Sequence, residues 1–157
     1  MSKHHVERIL PFSPDQLLGL VGDVAKYPDF VPWISSMRVG PIRHGAPGVE
    51  ILDAEAGVGF SFLKERFATR VKRDANARTI DVDLINGPFR RLANHWSFEP
   101  HPIGTRIVFD IDFEFRSRLL DALLKANFDH AVNKLISCFE ARAEALFTRQ
   151  ATSEPVA

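Results

Sequence analysis

The sequence predicts an α+β domain: a curved antiparallel sheet of seven strands around one long C-terminal helix, with a hydrophobic cavity between them. Three observations carry this expectation. Between about residues 34 and 115, apolar and polar residues alternate in repeated short runs, the period of strands buried on one face. From Ser117 onward the apolar residues recur every three or four positions, which is the helical period. Helix signals near the front are confined to two short pieces after a first strand, so the helices segregate to one side of the sheet.

Each element has its own reason. Residues 4–12 read as a first strand ending at Pro11. In "SPDQLLGLVGDV", Ser13 can cap a helix and Pro14 suits its first turn. Leu17, Leu18, Val21 and Val24 give that helix an apolar face. A second short helix or turn spans Ala25–Trp33 and contains "YPDFVPW", where four large apolar side chains sit among two prolines. Proline rules out a regular helix interior or a central strand there.

In "FSFLKERFATRVKR", Leu63, Phe67 and Val71 face one way and Lys64, Arg66, Arg70 and Lys72 the other. "TIDVDLI" sets Ile80, Val82 and Leu84 against Asp81 and Asp83. After the break at "NGPF", Leu92, Asn94, Trp96 and Phe98 share a face. "TRIVFDIDFEF" sets Ile107, Phe109, Ile111, Phe113 and Phe115 opposite Asp110, Asp112 and Glu114. The last helix starts at a Ser117 cap and carries Leu120, Leu123, Leu124, Phe128, Val132, Leu135, Ile136 and Phe139 in one stripe. At roughly 30 residues it would be about 45 Å long. The domain spans 1–150, and the tail 151–157 is expected to fray.

Composition narrows the function. The net charge is zero, so no global field draws the chain to nucleic acid, and DNA is not expected as a partner. One cysteine, Cys138, excludes an internal disulfide and a cysteine-rich metal site. The start lacks the long apolar run of a signal peptide, and no stretch is long and apolar enough to span a bilayer, so a bacterial cytoplasmic protein is expected. Phenylalanine is abundant, at 13 residues against one tyrosine, which favours a large dry interior. Phosphate-binding loops, HExxH and GxSxG are absent, and the six histidines are scattered, so neither a cofactor nor a metal is expected.

"YPDFVPW", "GPFRRLANHWSF" and "FEFRSRLLDALLKANFDHAVNKLISCFEARAEAL" together resemble the coenzyme Q-binding proteins of the START-like superfamily. The ribosome association toxins belong to the same group, and polyketide cyclases are more distant members. The resemblance covers about residues 3–147. It implies a helix-grip (START/Bet v 1-like) fold with a tunnel between sheet and helix. It also implies non-catalytic binding of a hydrophobic ligand, ubiquinone carried to respiratory complexes. A carrier of a membrane lipid must touch membranes transiently, which adds peripheral contact with the inner membrane to a cytoplasmic location.

Several residues are candidates for such a site. Phe109, Phe113, Trp96, Phe67, Leu63, Phe89, Phe128 and Leu135 can line the tunnel. Tyr27, Phe30 and Trp33 either form a lid closing one end or cap the sheet core. Glu65 falls on the inward face by strict alternation. It anchors a ligand head group, turns out through a bulge, or pairs with an arginine. Asn94, an amide that can both donate and accept, suits quinone carbonyl and methoxy oxygens as a donor, or is satisfied within the core. Lys64, Arg66, Arg70 and Lys72 form a basic stripe that is either a solvated face or a contact for RNA phosphates or anionic lipid. Arg90 and Arg91 beside Phe89 form a second patch, and Arg118 and Leu119 open the last helix as a membrane contact. A translation inhibitor that binds the ribosome is the alternative function. A cyclase ranks last, because only Glu65 and Asn94 offer polar chemistry inside.

Overall fold

The computed structural model describes residues 2–60 and 63–147. The sheet strands are β1 (Ser2–Leu10), β2 (Ile34–Val39), β3 (Arg43–His44), β4 (Val49–Phe60), β5 (Leu63–Asp74), β6 (Thr79–Asn86), β7 (Phe89–His101) and β8 (Gly104–Phe115). All pair antiparallel in the order β1-β8-β7-β6-β5-β4-β2, with the short β3 on β4. The seven-strand expectation thus holds for the main path, and the Gly/Pro turn after "PIRH" adds an eighth, two-residue strand.

The alternation read from the sequence sets the register. Val71 pairs with Val82 and with Leu52, and Trp96 pairs with Phe109 and Ile80, so apolar rows line up across the concave face. The close approach of Leu10 and Phe12 to the β7–β8 turn needs Gly104. A Cβ there would stand 2.4 Å from the Leu10 carbonyl oxygen, so any side chain would force β1 away from the β7–β8 turn.

Helix α1 (Pro14–Gly22) begins with a complete capping box: the Ser13 hydroxyl accepts from the Gln16 amide at 3.1 Å, and the Ser13 amide donates to the Gln16 side chain at 3.0 Å. A 3₁₀ turn follows over Val24–Asp29 and carries Pro28.

The expectation of one continuous C-terminal helix is corrected. Two helices are present, α2 (Arg118–Lys125) and α3 (Phe128–Leu146), separated at Ala126 and Asn127. Asparagine favours helix ends over helix interiors, and Asn127 takes the cap position of α3. The two pieces also rest on different apolar clusters. Leu120 of α2 packs on Phe89, Phe113 and Phe115, whereas Val132, Ile136, Phe139 and Ala143 of α3 pack on the Trp96 side. The side chains of Leu123 and Leu124, and the tail 151–157, lie outside the described residues.

Candidate functional site

The concave face divides into a filled part and an unsealed part. In the filled part, Trp96 is 3% exposed and Phe109 1%. Their rings meet edge-on at 4.6 Å between centroids, and Phe139 of α3 closes on Trp96 at 5.3 Å. Phe113 is equally buried and stacks on Phe128 at 4.2 Å. Trp96, Phe109 and Phe113 were expected to line an open tunnel. They are instead packed core, because the aromatic rows of β7 and β8 meet α3 there.

The unsealed part lies beside it. Phe67, Val82, Leu84 and Leu92 face inward by register, yet remain only partly buried. Among the described residues, Phe67, Leu84 and Leu92 pack on the Phe89–Phe113–Phe115 cluster and Val82 on the Trp96 cluster, and none of the four is fully enclosed. The band is apolar and borders Phe89, Phe113 and Phe115. Sequence reading placed Phe67 in the site but passed over Val82, Leu84 and Leu92. Their inward alternation was visible, and what could not be read was how completely packing would bury them.

"YPDFVPW" closes the other end. Tyr27 and Phe30 meet Phe139 edge-on at 5.2 and 5.3 Å, and Val31 is fully buried. The Tyr27 hydroxyl donates to the Val21 carbonyl, and burial pushes its phenol far above the ordinary value. The Arg142 guanidinium lies over Phe30, 5.3 Å from the ring centroid. Trp33 is half-buried, and its carbonyl accepts from the Gly59 amide at 2.8 Å. Tyr27 and Phe30 therefore cap the packed core at α3, while Trp33 sits at the β2–β4 edge. Leu135 is partly buried against the main cluster, and Phe128 touches both clusters. The Leu63 side chain lies outside the described residues.

The two polar candidates fare differently. The Asn94 amide donates to the Asp110 carbonyl at 2.9 Å, and its oxygen accepts from the Trp96 indole N–H at 2.8 Å. Both ends of the side chain thus serve the core. Glu65 is half-buried and lines a shallow groove with Ser35, Ser36, Lys64 and Arg66 at the sheet edge.

A family model described as polyketide cyclase/dehydrase and lipid transport matches residues 10–140. The chain belongs to this family. A ribosome association toxin of Rickettsia prowazekii is 35% identical over 140 residues, covering 87% of this chain and 92% of that protein. A mitochondrial coenzyme Q-binding protein of Schizosaccharomyces pombe is 31% identical over 145 residues, covering 90% and 86%. Among solved structures, an 18 kDa protein of Caulobacter crescentus is 57% identical with a TM-score of 0.79, covering 93% of this chain and 98% of that one. A Streptomyces aromatase/cyclase shares the fold at 17% identity and a TM-score of 0.72.

On this lipid-transport scaffold the outer face carries the predicted basic residues, and two of them are already neutralised. Arg70 donates to Asp53 at 3.0 Å, and Arg43 shares that carboxylate at 3.1 Å. The two guanidinium groups hold the Asp53 carboxyl below its ordinary value. Arg91 bridges Asp112 at 3.1 Å and Glu114 at 3.0 Å, and the Asp112 carboxylate raises its pKa. The continuous stripe and the Arg90–Arg91 patch are therefore corrected. Lys64, Arg66, Lys72 and Arg90 remain exposed, without a carboxylate partner among the described residues. The buried Phe89 stacks on Phe115 at 4.5 Å and meets Phe67 at 5.3 Å, so the Gly-Pro-Phe turn presents no aromatic to a membrane. Gly87 makes this possible, since a Cβ there would stand 2.5 Å from the Phe67 Cβ.

The histidines stay apart. His4 points inward, bonded to Asp129 at 2.7 Å, and His5 points outward between Glu7 and Asp110. No helix among the described residues is long and apolar enough to cross a membrane.

Proposed function

We propose that the protein binds an isoprenoid quinone, ubiquinone above all, and carries it without catalysis. The observation that carries this reading is the inward band of Phe67, Val82, Leu84 and Leu92, apolar side chains that pack on the core clusters yet stay only partly buried. An apolar surface of this kind gains free energy by shedding water onto a greasy ligand, and needs no reactive groups to do so. The polar side chains nearby support binding over chemistry. Asn94 is held by Asp110 and Trp96, and Thr69 donates to the Ala54 carbonyl at 3.3 Å, so neither is poised as an acid or base. The coenzyme Q-binding relative gives the ligand class its support. Membrane-bound respiratory complexes are the recipients this role requires.

The test is titration of the purified full chain with a short-chain ubiquinone, followed by quenching of its two tryptophans. Saturable quenching, with quinone recovered by organic extraction and identified by mass spectrometry, is the expected result. Linear quenching equal to that of free tryptophan, with no quinone in the extract, would overturn the reading.

A second reading, ribosome binding, is favoured by the exposed cations Lys64, Arg66 and Lys72 on β5 and by the toxin relative. Sedimentation of ribosomal subunits with added protein decides it. Co-migration that is lost on replacing these three residues would support it.

A further inference from the structure

We infer that the tip formed by the β6–β7 turn and the start of α2 is a docking surface for an anionic bilayer. Most arginines of the described chain are ion-paired to carboxylates, as Arg70 and Arg91 are. Arg90, Arg116 and Arg118 are exposed and have no carboxylate partner among the described residues. The fold brings them to one place. The Arg116 amide donates to the Pro88 carbonyl at 2.9 Å, and its side chain donates to the Phe89 carbonyl at 3.1 Å, which ties the β8–α2 junction to the β6–β7 turn.

The acids of this end are already used. Asp121 accepts from the Phe115 amide and pairs with Lys125 at 3.0 Å, while Glu114 pairs with Arg91. The tip therefore carries an uncompensated positive charge on a chain whose net charge is zero.

The same tip exposes apolar side chains. Leu119 is 72% exposed, more than any other large hydrophobic residue described, and Ile85 at the end of β6 is 45% exposed. One exposed leucine is ordinary. A leucine flanked by unpaired arginines is the pattern of a segment that sinks apolar groups past anionic head groups. This favours a lipid surface over RNA, which has no use for Leu119.

The position adds a further reason. Leu120, next in sequence, points the other way and packs on Phe89, Phe113 and Phe115, the cluster bordering the unsealed band. Docking would set the bilayer against the end of the molecule where the band begins. The inference extends the quinone-carrier reading by naming the surface from which such a ligand would be exchanged.

The experiment is flotation of the full chain with phosphatidylcholine vesicles, with and without phosphatidylglycerol. Vesicle binding is expected only with the anionic lipid. Leu119→Asp should lower it about tenfold, and Arg118→Ser or Arg90→Ser about fivefold each. Arg38→Ser, at an exposed position on β2 paired with Glu55, should leave it unchanged. Circular dichroism verifies folding, which exposed positions should preserve.

No binding to either vesicle, or binding indifferent to Leu119→Asp and to the arginine changes, would overturn the inference. Capture of ribosomal RNA that needs the arginines but ignores Leu119→Asp would overturn it in favour of a nucleic-acid surface. No quinone takes part in the flotation. Vesicle binding by a protein that fails the quinone titration would leave the docking surface standing and remove the carrier reading.

Discussion

The Asn94 side chain spans the Asp110 carbonyl and the Trp96 indole, so its amide acts as a strut between β7 and β8. Asn94→Leu keeps the size but strands the indole N–H, at a cost of about 1–3 kcal/mol. The expected outcome is a lower urea midpoint with an unchanged slope, and unchanged quinone affinity in the folded variant. Trp33→Ala should do the reverse. Trp33 is only half-buried at the β2–β4 edge, so its loss should lower the midpoint little while reducing the quinone recovered by extraction, the readout of choice because the change removes one of the two tryptophans. The same contrast shows what single residues disclosed before the structure. The inward face of Asn94 was legible from alternation, but its partner atoms were not, because a backbone carbonyl on the next strand leaves no trace in residue identity. Arg70 and Arg91 were misread for the same reason. The carboxylates that neutralise them lie on neighbouring strands, Asp53 on β4 and Asp112 and Glu114 on β8.

At the level of elements, alternation was enough to find β5 to β8 and their inward rows, since one buried face fixes the register. The break in the C-terminal helix was not legible. Its apolar period runs across residues 126–128 without a proline or glycine, and Asn127 is the only local signal. What holds α2 in its own place is Asp121. Its carboxylate accepts from the Phe115 amide at 3.1 Å, pairs with Lys125, and is held below its ordinary value, chiefly by the Phe115 amide. Because the folded pKa is depressed, this contribution is present above the unfolded carboxylate value, and is lost as pH falls through the lower folded value. Asp121→Asn should therefore speed hydrogen exchange at the Phe115 amide at neutral pH. It should also flatten the acid-side loss of protection, taken relative to the intrinsic exchange rate at each pH, expected of the unaltered protein. Equal Phe115 exchange in both proteins across that range would remove Asp121 from its anchoring role.

For the whole molecule, the division of the concave face into a packed half and an unsealed half has opposite consequences for two substitutions. Phe109 is enclosed by Trp96 and its neighbours, so Phe109→Ala opens a void in close-packed core and should cost about 3–5 kcal/mol. Leu92 packs on the Phe89 cluster but is only partly buried, and the quinone-carrier reading places the ligand beside it. In a filled core Leu92→Trp would overpack and destabilise by about 1–3 kcal/mol. Beside a ligand site it should leave the urea midpoint unchanged or raise it, while occupying volume the quinone needs and sharply lowering the quinone recovered by extraction, a readout the added tryptophan does not disturb. The pair measures the shape of the interior directly. A Leu92→Trp protein that loses stability as an overpacked core does, and still binds quinone with unchanged affinity, would place the ligand elsewhere on the molecule and return the concave face to a purely structural role.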